Sequence, residues 1–161
     1  MKKLFIGLGV IFLLFVFVGA AFVVYGAFTG SKLDKESKAY VDAAVPAIVS
    51  SWNEQELLIR ASPEFRNASR PADVERLFRW LRTLGRLQKY EGAQGESITS
   101  VTPQTGKVIY ARYAAKATFG AGDANIEVGL IKHGNQWQIG RFNVTSPALL
   151  PQQGSPSETP H

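Results

Sequence analysis

The longest uninterrupted apolar run of the chain covers residues 4–28 and contains no charged residue. As a helix it would reach about 37 Å, enough to cross a hydrocarbon core of about 30 Å with some tilt. We therefore predict a transmembrane anchor at 4–28. The alternative is a cleaved signal peptide, since Lys2 and Lys3 precede the run and Gly19-Ala20-Ala21 could suit a peptidase. Signal cores usually have about 7–15 residues, so the length of the run favours the anchor.

The residues beside the run set its predicted orientation. Lys and Arg are nearly balanced on its two sides, but the head of three residues, 1–3, is typical of a signal anchor. We predict that this head is cytoplasmic and that a polar juxtamembrane linker at 29–39 follows the anchor outside the cytoplasm. The chain is then a single-pass protein of a bacterial inner (cytoplasmic) membrane, with the lipid bilayer as its first partner.

Helical spacing dominates the pattern after the linker. Val41, Val45, Ile48 and Trp52 form one stripe of a helix, although Pro46 lies inside it and predicts a kink or a later start. Asn53 and Ser62-Pro63 are typical of two further helix starts.

The clearest helix is predicted to open at Pro71 and to reach Leu87, with apolar residues three and four positions apart. Basic residues occupy its other face as one stripe: Arg76, Arg79, Arg82, Arg86 and Lys89. A solvated face is the simpler interpretation, and an acidic partner or anionic head groups are the alternative.

The remainder alternates as strands do. Four strands are predicted, at 97–102, 107–119, 124–132 and 136–145. In the second, one face holds Ile109, Ala111, Tyr113, Ala115, Ala117 and Phe119. In the fourth, the apolar parity switches at Gly140-Arg141, which predicts a β-bulge. Residues 148–161 are rich in proline and are predicted to form a disordered tail after a domain at 40–147.

Composition limits the chemistry. The formal charge of +5 is too mild to indicate nucleic-acid binding, and with no Cys the chain can form neither a disulfide nor a Cys-ligated metal site. The chain contains two His and no P-loop, GxSxG or HExxH motif. We predict no cofactor, no metal and no catalysis.

The order of the elements, with helices first and a four-stranded meander after them, predicts an α+β fold. The run from Gly106 to Pro147, with its Asn-Gln-Trp-Gln-Ile hairpin exit and its Phe-x-Val finish, resembles the nuclear transport factor 2-like (cystatin-like) superfamily. The resemblance implies helices packed in a cone formed by a curved antiparallel sheet, here after an N-terminal transmembrane helix. It does not choose a function, because the superfamily contains both enzymes and scaffolds.

Three functions remain open. The first is a protein-interaction or scaffold module that contacts another copy or an envelope protein. The second is a small apolar ligand pocket inside the cone, which as an enzyme would need an acid or base among Tyr110, Arg112, Tyr113, Asp123, Glu127 and His133. The third is contact with anionic lipid through the basic stripe. The candidate interaction residues are that stripe together with Val108, Tyr110 and Thr118 on the second strand.

Overall fold

The computed structural model describes residues 32–102 and 106–150. The predicted head at 1–3, the predicted anchor at 4–28 and the tail beyond residue 150 lie outside these residues. Among the helices within the described ranges, none is both long enough and apolar enough to cross a membrane.

The first helix, α1, occupies residues 32–49. Residues 32–39, predicted as a linker, therefore form its first turns, with Leu33 and Ser37 buried against the rest of the fold. α1 begins well before Pro46 and continues past it, although the proline leaves one backbone position of the helix without an N–H donor. The carbonyl of Pro46 accepts from the backbone N–H of Ser50 at 3.0 Å.

Two short helices follow, and both begin where their caps predict. α2 spans Glu54–Leu58, and the Asn53 side chain accepts from a backbone N–H of its first turn. α3 spans Pro63–Ala68, and the Ser62 hydroxyl accepts from the N–H of Phe65. Trp52, just before α2, is buried and donates its indole N–H to the carbonyl of Gly85 at 2.9 Å. Trp52 therefore lies beyond the end of α1 and packs in the core.

α4 spans Pro71–Leu81 and is shorter than predicted. A 3₁₀ turn at Arg82–Leu84 follows, and Gly85 reverses the chain at φ 80°. Leu84 and Leu87 keep the helical spacing that misled the prediction, but Leu87 already pairs with Phe119 across a strand ladder. Non-local pairing overrides a local period that fits both a helix and a turn.

The sheet has four antiparallel strands in the order β1-β2-β3-β4, which confirms the α+β class. Their bounds are β1 Leu87–Thr102, β2 Gly106–Phe119, β3 Gly122–His133 and β4 Gln136–Thr145. β1 is far longer than the predicted strand at 97–102. Gly129 pairs with Arg141 and Leu130 with Ile139, so Gly140 is the extra residue of a bulge. The predicted bulge in β4 is confirmed.

The core lies between the helices and one face of the sheet, which we call the inner face. The predicted face of β2 is buried there from Ala111 to Phe119. After β4 a 3₁₀ turn at Pro147–Leu149 buries Leu149, so the fold extends slightly past the predicted boundary at 147.

Candidate functional site

The predicted basic stripe does not exist as one helix face. Arg76 and Arg79 lie on α4, Arg82 is in the 3₁₀ turn, Arg86 follows Gly85, and Lys89 is on β1. The prediction is wrong because the helix ends at Leu81 and the chain then reverses direction.

Most of these basic side chains are paired with carboxylates. Arg79 lies 2.7 Å from a Glu75 oxygen and Arg82 lies 3.0 Å from Glu54. Lys89 lies 2.8 Å from Glu91, and the longest of these pairs, Arg76 to Asp73, measures 3.8 Å. Exposed pairs of this kind contribute little to stability and leave a weak net field for an acidic partner.

A hollow of about 560 Å³ does bring Arg82 and Arg86 together, beside Ser50 and Ser51. Arg82 is engaged there, because it also donates to the carbonyl of Trp52 at 3.3 Å. This hollow is therefore a packing seam between α1 and the 3₁₀ turn.

The three predicted residues of β2 share the outer face of the sheet, the face turned away from the helices, but they do not form one patch. Val108 and Thr118 are separated by ten residues of strand, about 33 Å. Thr118 donates to the carboxylate of Asp123 at 2.8 Å. Tyr110, which is 42% exposed, has a different environment, described next.

A groove of about 760 Å³ runs across the outer face. One row of its floor is apolar, because Ile98, Tyr110 and Ile131 are aligned across β1, β2 and β3. Ile98 is 48% exposed, so this row presents apolar surface to solvent at the centre of a sheet. We refer to the whole feature as the outer groove.

The next row of the outer groove carries charge. The register aligns Glu96, Arg112, Gly129 and Arg141 across the four strands. Gly129 leaves the floor open between the two arginines, where an added Cβ would lie 3.1 Å from the Cβ of Arg141. The two guanidinium groups that flank this gap can donate hydrogen bonds to carboxylate or carbonyl oxygens of a bound chain.

The charged side chains of the outer groove form no close ion pairs with other described residues. Arg112 stands diagonally from Glu127, because Glu127 is opposite Ala114. Within the described ranges, neither arginine has a carboxylate oxygen within 4.0 Å, and the same holds for Glu96 and Glu127 towards any base.

Sequence reasoning names Tyr110, Arg112 and Glu127 as candidates for the inside of the cone, whereas the structure places all three on the outer face. The sequence pattern does not connect them with Ile98, and it marks Arg141 only as part of the bulge. The signal that joins them is the register, and the Gly140 bulge shifts that register by one residue in β4.

Between α4 and β2 the inner face is lined by buried side chains of the described residues. Five side chains that would line a ligand pocket there are all buried: Phe78, Leu81, Tyr113, Phe119 and Trp137. Trp52 packs its ring 5.0 Å from that of Phe119 and 6.4 Å from that of Phe78, centre to centre.

The hydroxyl of Tyr113 on the inner face is used for packing. The Tyr113 hydroxyl lies 2.9 Å from the Ser37 hydroxyl and donates to the carbonyl of Asp34 at 3.0 Å. Burial raises the pKa of Tyr113, the Ser37 bond opposing the shift, so the phenol stays neutral and fixes α1 to the sheet.

The other candidate acids and bases are exposed. Asp123 is exposed at the start of β3, where it pairs with Thr118, and His133 lies 3.2 Å from Glu64 at the surface. Across residues 32–102 and 106–150, no three His, Asp or Glu side chains cluster as a metal site requires. Comparison with family models, with curated proteins and with solved structures returned no match.

Proposed function

We propose that the chain is a single-pass protein of a bacterial inner membrane whose extracytoplasmic α+β domain is a protein-interaction module. The outer groove is the contact surface, and the domain is not an enzyme. The partner is either a second copy of the chain or another envelope protein.

The observation that carries this proposal is the contrast between the two faces of one sheet. The inner face is filled by packed side chains, whereas the outer groove holds an apolar row and three charged side chains, Arg112, Glu127 and Arg141. None of the three forms an ion pair with the described residues. Apolar surface beside unpaired charge is what interfaces use for affinity and for specificity respectively.

The position of α4 disfavours lipid contact through its basic residues. The C-terminal end of α4 packs beside the C-terminal end of α1. Arg82 donates to the carbonyl of Trp52, and the ring of Phe78 packs against the ring of Trp52. Residue 32 is at the opposite end of α1, about 26 Å away along the helix axis. An anchor at 4–28 would therefore leave α4 far from the bilayer.

Membership of the nuclear transport factor 2-like superfamily remains part of the proposal. Four helices followed by a four-stranded antiparallel sheet with a bulged last strand are compatible with that fold. The order of elements is shared by other α+β folds, so it supports the assignment without selecting it.

The test uses chemical crosslinking in native membranes, with wild type compared with the double variant Arg112→Glu, Arg141→Glu. We expect a discrete protein adduct in wild type that is lost or reduced in the double variant. Light scattering of the detergent-solubilised chain then distinguishes a second copy from another protein. A monomeric chain that gives no adduct in membranes would overturn the proposal.

A further inference from the structure

α1 runs alongside β1 in the opposite chain direction, and two hydrogen bonds join them at points separated by similar distances along the helix and along the strand. Asp42 accepts from the N–H of Ala93 at 2.8 Å, and Asp34 accepts from the N–H of Ser97 at 2.7 Å. Eight residues of helix advance about 12 Å and four residues of strand about 13 Å, so the two axes are nearly parallel here. Distances along β1 can therefore be compared directly with distances along α1.

The β1–β2 hairpin continues past the beginning of α1. Val101 lies four residues beyond Ser97, about 13 Å further along the shared axis. The predicted anchor ends at Phe28, six residues before Asp34. That distance is about 9 Å as helix or at most about 20 Å as extended chain. For both conformations, the positions of Val101 and Phe28 along the shared axis differ by no more than about 7 Å. This difference is about the thickness of a head-group layer.

The side chains at this end suit an interface between lipid and water. Val101 is 73% exposed, the most exposed of the large apolar side chains in the described ranges. Its cross-strand partner is Lys107, which is also exposed. Lys32 and Lys35 are exposed at the start of α1, so the end of the molecule is basic as well as apolar. Lysine can bury its stem beside apolar surface and keep its charge among head groups.

We propose that the far end of the β1–β2 hairpin, through Val101 and Lys107, rests on the lipid surface of the membrane that holds the anchor. This inference depends on the anchoring part of the proposed function. It adds a second membrane contact, which would fix the orientation of the domain and turn the outer groove sideways, towards partners in the same membrane.

The chain has no Cys, so a single introduced Cys can be labelled uniquely. The full chain is reconstituted in vesicles with an environment-sensitive fluorophore at Val101→Cys, and vesicles with and without brominated lipids are compared. Ala121→Cys is the matched control, because Ala121 is exposed at the opposite end of the hairpin's second strand. Phe22→Cys, in the predicted anchor, reports whether the anchor has inserted.

We expect the Val101 probe to shift to the blue and to lose intensity in brominated lipid, while the Ala121 probe does neither. Quenching at Phe22 without quenching at Val101 would overturn the hairpin contact and leave the anchor intact. A blue shift at Val101 without quenching would indicate a protein contact and would also overturn it. Absence of quenching at all three positions would remove the anchor itself, and the hairpin contact with it.

Discussion

Asp42 on α1 and Ala93 on β1 are joined by a hydrogen bond of 2.8 Å from the backbone N–H of Ala93 to one carboxylate oxygen. The same oxygen accepts from the Tyr90 hydroxyl at 2.9 Å, and Lys38 lies 2.6 Å from the other oxygen. β1 is an edge strand, whose outward N–H groups have no neighbouring strand. α1 supplies the missing acceptors through Asp34 and Asp42, which also protects the edge from pairing with another chain.

We predict that Asp42→Ala lowers the free energy of unfolding by about 1–3 kcal/mol, because it leaves the N–H of Ala93 and the Tyr90 hydroxyl without their acceptor. Urea denaturation of a fragment covering residues 32–150 measures the change. Glu75→Ala is the control, since Glu75 makes only an exposed pair with Arg79 and its loss should cost no more than about 0.5 kcal/mol. Equal effects of the two substitutions would contradict the edge-capping role.

The same carboxylate predicts a dependence on pH. Burial acts to raise the pKa of Asp42, but the hydrogen bonds from Lys38, Ala93 and Tyr90 outweigh it and hold that pKa below its ordinary value. A lowered pKa in the folded state contributes stability that is present above the unfolded value, about 3.9, and is lost as pH falls through the folded value. Asp42→Asn keeps the shape and removes the charge.

We therefore expect wild type to be more stable than Asp42→Asn at pH 7, and the gap to close as the pH falls through the lowered pKa of Asp42 and its carboxylate becomes protonated. Urea midpoints of both proteins across this range measure the gap. The hydrogen bond from Lys132 also lowers the pKa of Glu36. Glu36 is present in both proteins, so its contribution to the pH dependence cancels when their stabilities are subtracted. A gap that stays constant with pH would show that the charge of Asp42 is not involved.

A substitution at Gly95 tests how closely the backbone of β1 approaches the backbone of β2. A Cβ at this position would lie 1.9 Å from the carbonyl oxygen of Arg112 and 2.8 Å from its carbon, both backbone atoms that cannot move aside. We predict that Gly95→Ala destabilises the fold by about 1–3 kcal/mol or prevents folding. Gly120→Ala is the matched control, because its Cβ would meet its nearest neighbour at 3.8 Å. Thermal denaturation of both variants decides the matter, and matching midpoints would contradict the predicted clash.

Sequence periodicity predicted what local rules determine. β2 was correct because its alternation runs unbroken from Ala111 to Phe119, and the switch at Gly140 was correct because a bulge must change the parity of a strand. The capped starts of α2 and α3 were correct for the same reason: a cap is decided within four residues.

Features that depend on distant partners were missed. The first half of β1 is missed, because the helical period of Leu84 and Leu87 extends the predicted helix to the first residue of the strand. The pairing of Leu87 with Phe119 is invisible in the sequence. Nothing in the sequence distinguishes Asp34 and Asp42 from other surface acids, because their role depends on the edge of β1, whose backbone N–H groups donate to them. The outer groove required the register of all four strands, so its arginines could not be joined from sequence alone.

The most direct test of the central claim is site-specific photo-crosslinking in native membranes, with a photoreactive amino acid at Tyr110 in the outer groove or at Arg79 on α4. We predict a discrete protein adduct from position 110, which weakens when Arg141→Glu is added, and none from position 79. The Arg141→Glu background should keep wild-type stability to within about 0.5 kcal/mol, since Arg141 is exposed and forms no ion pair with the described residues. An adduct from position 79 alone, or none from position 110 in correctly inserted protein, would contradict the account.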